Sequence, residues 1–454
     1  MSQRTLTPLE AREIASESYA YLYPLVLMEA FRQNWDAPTN HFSSLTAAKL
    51  EQLGIHARPV ACAASVGAWL DLSGGPVVVI LPDSHRRHLV ATAIDAWGEV
   101  FSAIGSRHCG SGGGRFVFVG PNWSGECWSV ADFATIRAPT SRVWIAIHFI
   151  AAREADMAGV RHLARLCTAA PLKPSKQTTP ATPRLGFGIS PHMQVATLDP
   201  EHFLTCAAAL LRINPPRRKD AHFLNRLRNI GVIPAWPFEL NEQTPQVAEA
   251  IIEGATLGRA NVLAEHDRHL QTARQTWTGV QNIASSYLDR AAWARWAPAN
   301  THQEELLRLH LISDANGENL SGSRNYRLHF PAGRMPPAHA FWSLFTIDHA
   351  VNAPIRTLHN FTSDRQRLTY NADGSLDLHL TSRPADGRMA NYLLCPRKRF
   401  DLVLELISPR AEALNGTWSP PKIERARRAG RFQAAERRSH RGLVEVETLL
   451  GSHA

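Results

Sequence analysis

The residue types able to do chemistry gather in a few short stretches. His85-Arg86-Arg87-His88 sets two imidazoles three residues apart. On a helix they would share a face, but a metal site needs further N, O or S ligands at fitting positions. No carboxylate stands at such a spacing, and two guanidinium groups between the histidines repel a cation. No metal is expected there. Gly110-Ser111-Gly112-Gly113-Gly114-Arg115 has the glycine density of a phosphate cradle. A phosphate-binding loop follows a strand and ends in Gly-Lys-Ser/Thr at a helix start. These glycines precede an apolar β-type run and no such lysine follows, so they read as a β connection. The six cysteines (Cys62, Cys109, Cys127, Cys167, Cys206 and Cys395) are scattered without a Cys-x-x-Cys pair. They give neither a disulfide framework nor a zinc set and read as free thiols. Gly-x-Ser-x-Gly, His-Glu-x-x-His and Gly-x-Gly-x-x-Gly are absent, so no motif names a reaction.

Whatever chemistry there is must be positioned by a large core. The 454 residues are 44% hydrophobic and 20% charged, the profile of an ordinary globular chain of two or three domains. No apolar run approaches the ~18 residues of a membrane span. The start, Met1 to Ala15, is polar and lacks a signal-peptide core, so the chain is expected to stay in the cytoplasm. The net charge is +9, but Lys422 to Arg441 holds eight basic residues against Glu424 and Glu436. The body is therefore nearly neutral, which argues against a nucleic-acid-binding face. Residues 424–454 read as a basic tail.

Local signals give the elements. Thr7-Pro8-Leu9-Glu10 is a capping box with proline at the first helical position. The spacing predicts a helix from there to about Tyr23, where Pro24 stops or kinks it. Val77–Leu81, Phe116–Val119 and Val143–Ile147 are short β-branched or aromatic runs bounded by turn residues, pointing to an antiparallel sandwich. A helix is expected to interrupt them from Arg86 to about Ile104. Residues 168–190 read as a proline-rich linker. Helices are predicted from Pro200 to Pro215, from Asp220 to Gly231 and from about Pro245 to Ala273. Tyr326–Phe330 alternates, as do Leu376, Leu378 and Leu380 after an Asn371–Gly374 turn read as a hairpin. Leu402, Leu404 and Leu406 mark a further strand.

Residues 312–423 carry a recognisable order. It runs from Asp314, Gly317, Leu320, Gly322 and Tyr326–Phe330 through Pro336–Leu344. Asp348, Asn352-Ala353-Pro354, Arg356, Asp373-Gly374-Ser375, Asn391, Pro396, Phe400 and Gly416–Pro421 follow. This resembles the domain of unknown function 1214 in bacterial two-domain proteins. Trp69–Leu72, Pro82-Asp83, Arg87, Asp95, Gly105–Arg107 and Gly120–Gly125 resemble its N-terminal partner, the domain of unknown function 1254. The resemblance covers roughly 35–430 and implies two jelly-roll-like β-sandwiches with helices between them. This sequence departs from the pattern where Ala61-Cys62-Ala63-Ala64-Ser65-Val66 replaces the usual Asn-x-Asp-Thr-x-Tyr-Ser. It departs again at Asn391-Tyr392-Leu393-Leu394.

The expected architecture is α+β, with two antiparallel β-sandwich domains and an intervening helical block. The expected divisions are helices over 1–34, a sandwich over 35–167, linker and helices over 168–310, a sandwich over 311–423, then the tail. Function stays open between a small-molecule enzyme or enzyme-like pocket and a non-catalytic binder of a carbohydrate or other polar ligand. The candidate binding residues are Asp348, Asn352, Arg356 and Asn391, with Trp342 as a stacking wall. Alternation puts Phe341, Ser343 and Phe345 on one strand face and Trp342 and Leu344 on the other. No cofactor is evident. Asp373 admits a calcium ion as a variant of the binder, and a homo-oligomer is compatible with the sequence.

Overall fold

The structure is a computed structural model. It describes residues 6–53, 63–125, 129–130, 133–151, 156–173, 182–186, 189–217, 220–234, 236–276, 286–296, 302–348, 360–362, 368–382 and 391–426. In chain order the elements begin with α1 (Pro8–Gln33), β1 (Ser43–Ser44), α2 (Ala47–Gln52), β2 (Ala63–Asp71), β3 (Val77–Leu81), β4 (His88–Asp95) and β5 (Val100–Ala103). Next come α3 (Ser106–Cys109), β6 (Gly114–Val119), β7 (Ser129–Val130), β8 (Phe133–Arg137), β9 (Arg142–Ile150), α4 (Met157–Leu166) and β10 (Thr168–Pro171). The helical block is α5 (Pro191–Thr197), α6 (Pro200–Ile213), α7 (Ala221–Asn229), α8 (Pro245–Thr276) and α9 (Tyr287–Trp296). Then follow β11 (Leu306–Leu311), β12 (Asn325–Phe330), β13 (Ala338–Asp348), β14 (Asn360–Thr362), β15 (Leu376–Thr381), β16 (Tyr392–Leu394), β17 (Phe400–Pro409), α10 (Ala411–Leu414) and β18 (Ile423–Ala426).

The strands make four sheets, ordered β1-β2-β9-β4-β5, β10-β3-β6-β8-β7, β11-β17-β13-β14 and β16-β15-β12-β18. The chain is α+β. The first two sheets enclose one core, with Val66, Leu70, Ile145 and Phe149 from one and Val79 and Phe118 from the other. The last two enclose a second, where Trp342, Leu344, Leu404 and Leu406 meet Tyr326, Leu328, Phe330, Leu378 and Leu380. Pairing is antiparallel except at β6–β8 and β15–β16, which are parallel. The helices build a third core with α1 at its centre. Gly254 and Gly258, one turn apart on α8, let it sit directly on α1. A Cβ at Gly258 would stand 2.5 Å from the Ser16 carbonyl.

Several sequence expectations need correction. The helix from Pro8 does not end at Tyr23; it runs through Pro24 to Gln33. Proline costs one hydrogen bond there, and burial of Leu25, Val26, Leu27, Ala30 and Phe31 on the far side outweighs that loss. The helix expected from Arg86 to Ile104 is instead the β4–β5 hairpin. His85 and Arg86 have positive φ, which no helix accommodates. Asp95 Oδ1 accepts from the Trp97 and Glu99 amides and closes the turn. Val90, Thr92 and Ile94 lie opposite β9 residues, so tertiary pairing overrides the helical look of the alanines. The linker reading fails at Thr168–Pro171, which pair with β3. Glu424–Ala426, read as tail, pair with β12. The Asn371–Gly374 turn forms, closed by Asn371 N donating to Ser375 O at 2.9 Å. It leads into β15, which pairs with β12 and β16 rather than forming a hairpin across that turn.

Candidate functional site

The outer faces of the first and third sheets pack on each other. Val90 and Ile150 meet Leu306, Phe341 and Ile407 in a small apolar cluster. Polar groups flank it on both sides, and the strand register places them. Ser65 on β2 and Val90 on β4 both lie opposite His148 on β9. On the facing sheet Arg308 of β11 and Ser343 of β13 both lie opposite Glu405 of β17.

Ser65 Oγ stands 2.8 Å from His148 Nδ1, and both residues are half-buried. Burial first, then the nearby Arg308 charge, push the His148 pKa down to about 4, so its imidazole is neutral at pH 7. Arg308 Nε donates to Glu405 Oε1 at 2.7 Å, and Ser343 Oγ donates to Glu405 Oε2 at 3.1 Å. Arg308 and Glu405 are 5% and 1% exposed. With the Ser65 hydroxyl donating to Nδ1, the pair is a nucleophile beside a neutral base, with a fixed cation nearby. With Nδ1–H as donor it is only a hydrogen bond, so the tautomer decides the chemistry.

The other flank is also charged. Glu305 is 1% exposed, and among the described residues neither carboxylate oxygen has a hydrogen-bond partner. His108 Nδ1 and Arg107 Nη1 lie 3.6 and 3.9 Å from its Oε1. Burial outweighs the pull of these two neighbours and raises the Glu305 pKa. The His88 Nε2 atom is buried without a hydrogen-bond partner among the described residues, and burial lowers the His88 pKa to about 4.

The two half-buried histidines, held neutral, make stability depend on acid. Their folded pKa lies below the ordinary value of 6.5, so the unfolded chain takes up protons that the fold refuses. Stability is full above pH ~6.5 and is lost as the pH falls towards 4. A 1.5-unit drop below the unfolded pKa costs about 2 kcal/mol per histidine. The melting temperature is expected to fall from pH 7.5 to pH 5, with a smaller fall in His148→Gln. A melting temperature flat across that range would contradict the neutral-histidine assignment.

The sequence-predicted residues lie elsewhere. Trp342 and Leu344 face the core between the third and fourth sheets, while Phe341 and Phe345 face the opposite way, as alternation predicted. Trp342 packs with its ring centroid 6.0 Å from that of Phe330. Asp348 ends β13 opposite Phe400; its side chain lies outside the described residues, as do Asn352 and Arg356. Asn391 clasps two segments: Nδ2 donates to Thr369 O at 2.7 Å and to Asp377 O at 3.1 Å, and Oδ1 accepts from Thr369 N. Asp373 Oδ1 accepts from the Ser375 amide and hydroxyl and caps the turn. A hollow of about 330 Å³ beside α5 and α6 is lined by Gln194, Asp199 and His202. Asp199 there caps α6, and His202 Nε2 lies 3.0 Å from Arg184 O. The Ser65–His148 pair went unseen because 83 residues separate its members. The available signal was a polar residue inside each of several apolar strands: His148, Arg308 and Glu405.

Fold and site together define an α+β protein of two facing-sheet units joined across a polar seam. Residues 40–171 match the family described as a protein of unknown function, DUF1254, and residues 305–411 match the one described as a protein of unknown function, DUF1214. The chain belongs to the proteins that pair these two domains. The crystal structure of the VPA0106 protein from Vibrio parahaemolyticus has a TM-score of 0.69 to this chain at 18% identity, covering 93% of this chain and 100% of its own. That likeness shows a shared fold. An uncharacterised protein from Burkholderia cenocepacia has a TM-score of 0.43 at 10% identity, covering 90% of this chain and 88% of its own, too low to carry an argument. No curated protein matches the chain.

Proposed function

We propose that the chain is a small-molecule hydrolase or acyl-transfer enzyme acting at the seam, with Ser65 as nucleophile and His148 as general base. The observation that carries this is the 2.8 Å contact between Ser65 Oγ and a His148 held neutral. Ser65 Oγ forms a bond to the acyl carbon of an ester-type substrate while its proton passes to His148 Nδ1. The leaving oxygen takes that proton as its bond to the acyl carbon breaks. Water, deprotonated by the same nitrogen, then releases the acid and restores Ser65. Arg308, oriented by Glu405, supplies positive charge towards the developing oxyanion. Ser65 lies in the stretch where this sequence departs from the family pattern.

Each pair of facing sheets is read as a jelly-roll-like sandwich, and the divisions near 35, 168, 311 and 424 as domain limits. Free thiols at Cys109, Cys167, Cys206 and Cys395 support a reducing, cytoplasmic setting. Asp348, Asn352 and Arg356 are kept as polar groups of a separate ligand surface, supported by their place in the family-like run.

A fluorophosphonate probe tests the nucleophile on the full chain. Intact-mass analysis is expected to show one adduct, lost in Ser65→Ala and reduced at least tenfold in His148→Gln, with unchanged circular dichroism. An unlabelled wild type, or an adduct that survives Ser65→Ala, would overturn the assignment.

A further inference from the structure

Far from the seam, in the helical block, three ligand-type side chains converge where α8 meets α9. Glu265 and His269 are four residues apart on α8, one helical turn, and so share a face. Asp289 comes from the first turn of α9. His269 Nε2 stands 3.0 Å from Glu265 Oε1 and 3.5 Å from Asp289 Oδ1. The three ligand atoms all lie within 4.8 Å of one another.

These separations suit a metal. With zinc–nitrogen and zinc–oxygen bonds of about 2.0–2.1 Å in a tetrahedron, neighbouring ligand atoms sit ~3.3 Å apart. The two nitrogen-to-oxygen separations bracket that value. Glu265 is buried, and Asp289 is aimed. Ser286 Oγ donates to Asp289 Oδ2 at 2.9 Å and accepts from the Asp289 amide at 3.1 Å, and Oδ1 faces His269. The Trp293 ring, 5.3 Å from the imidazole, covers one side of it. Arg268 also holds Glu265, with Nε donating to Oε2 at 3.1 Å and Nη2 donating to Oε1, so a cation at Oε1 replaces the second of these bonds.

We infer that Glu265, His269 and Asp289 bind one divalent first-row cation of the zinc type. One imidazole and two carboxylates suit a borderline cation better than calcium, which takes oxygen ligands alone. Three protein ligands leave a fourth position for water. The ion ties α8 to α9 and thereby steadies the core built around α1.

The test uses the full chain after treatment with a chelator. Isothermal titration with zinc chloride is expected to show one equivalent bound, with a rise in melting temperature. Asp289→Asn and His269→Gln are each expected to weaken that binding at least tenfold and to abolish the rise. Asp289→Asn keeps the shape and the Ser286 contacts, so it decides the matter if His269→Gln fails to fold. An absence of zinc binding by the wild type, or an affinity that Asp289→Asn leaves unchanged, would overturn the site.

Discussion

Arg308→Ala is expected to lower stability by about 3–5 kcal/mol, the cost of leaving a buried charge without its partner. Glu405 sits in the middle strand of the third sheet, with β11 on one side and β13 on the other. Its two oxygens are bonded to Arg308 and Ser343. Without the guanidinium, the buried carboxylate must stay charged, take up a proton, or drag water between the sheets. Each route is expensive. The pair as a whole is a different matter, because its desolvation offsets much of its attraction. The double change Arg308→Met with Glu405→Leu is therefore expected to recover most of the loss. Urea denaturation of the two variants measures both numbers. A loss under ~1 kcal/mol for Arg308→Ala would mean that water reaches Glu405. The same variant carries a second signature. The Arg308 charge helps to depress the His148 pKa, so its removal raises the lower end of the acid-sensitive range and makes the acid-induced loss smaller.

What the sequence made legible follows the range of the interactions. The capping box at Thr7 and Glu10 is a contact between neighbours three residues apart, and it forms as read. The alternation of β12 and β15 reflects one wet face and one dry face, and it too is plain in the residues. β17 is buried on both faces. One face closes the second core, and the other contributes Ile407 to the contact with the first sheet. That second burial depends on where another sheet docks, which no local period encodes. The hairpin at β4 and β5 was hidden for a related reason. Its alanines are compatible with a helix, and only pairing with β9 makes them a strand. The seam shows the limit most clearly. Ser65 faces His148, and Arg308 faces Glu405, through strand register alone, so the residues carry no motif. At α8 the four-residue spacing of Glu265 and His269 was there to be read. Its meaning depends on Asp289, which the helix crossing supplies.

The first sheet is held in place by an aromatic cluster that also fixes the Ser65 end of β2, and Trp144→Ala is expected to cost about 3–5 kcal/mol there. Trp144 is fully buried. Its ring centroid lies 4.9 Å from that of Phe31, 4.8 Å from that of Trp35 and 5.5 Å from that of Trp69. It thereby joins the second half of α1 to β2 and β9. The ring needs the space that Gly67 leaves open. A Cβ on Gly67 would come within 2.4 Å of Trp144 Cη2. Gly67→Ala alone is therefore an overpacking change and is expected to cost about 1–3 kcal/mol. The two residues compete for the same volume, so their effects should not add. In the Trp144→Ala background the new methyl group enters a cavity in place of a clash. The double variant is expected to lose less than the sum of the single losses, by about 1–3 kcal/mol, in urea denaturation of all four proteins. Additivity within ~0.5 kcal/mol would show that the ring is not confined by Gly67. In that event the alignment of β2 on β9, which sets Ser65 against His148 two residues along the same strand face, would have to be fixed by backbone pairing alone.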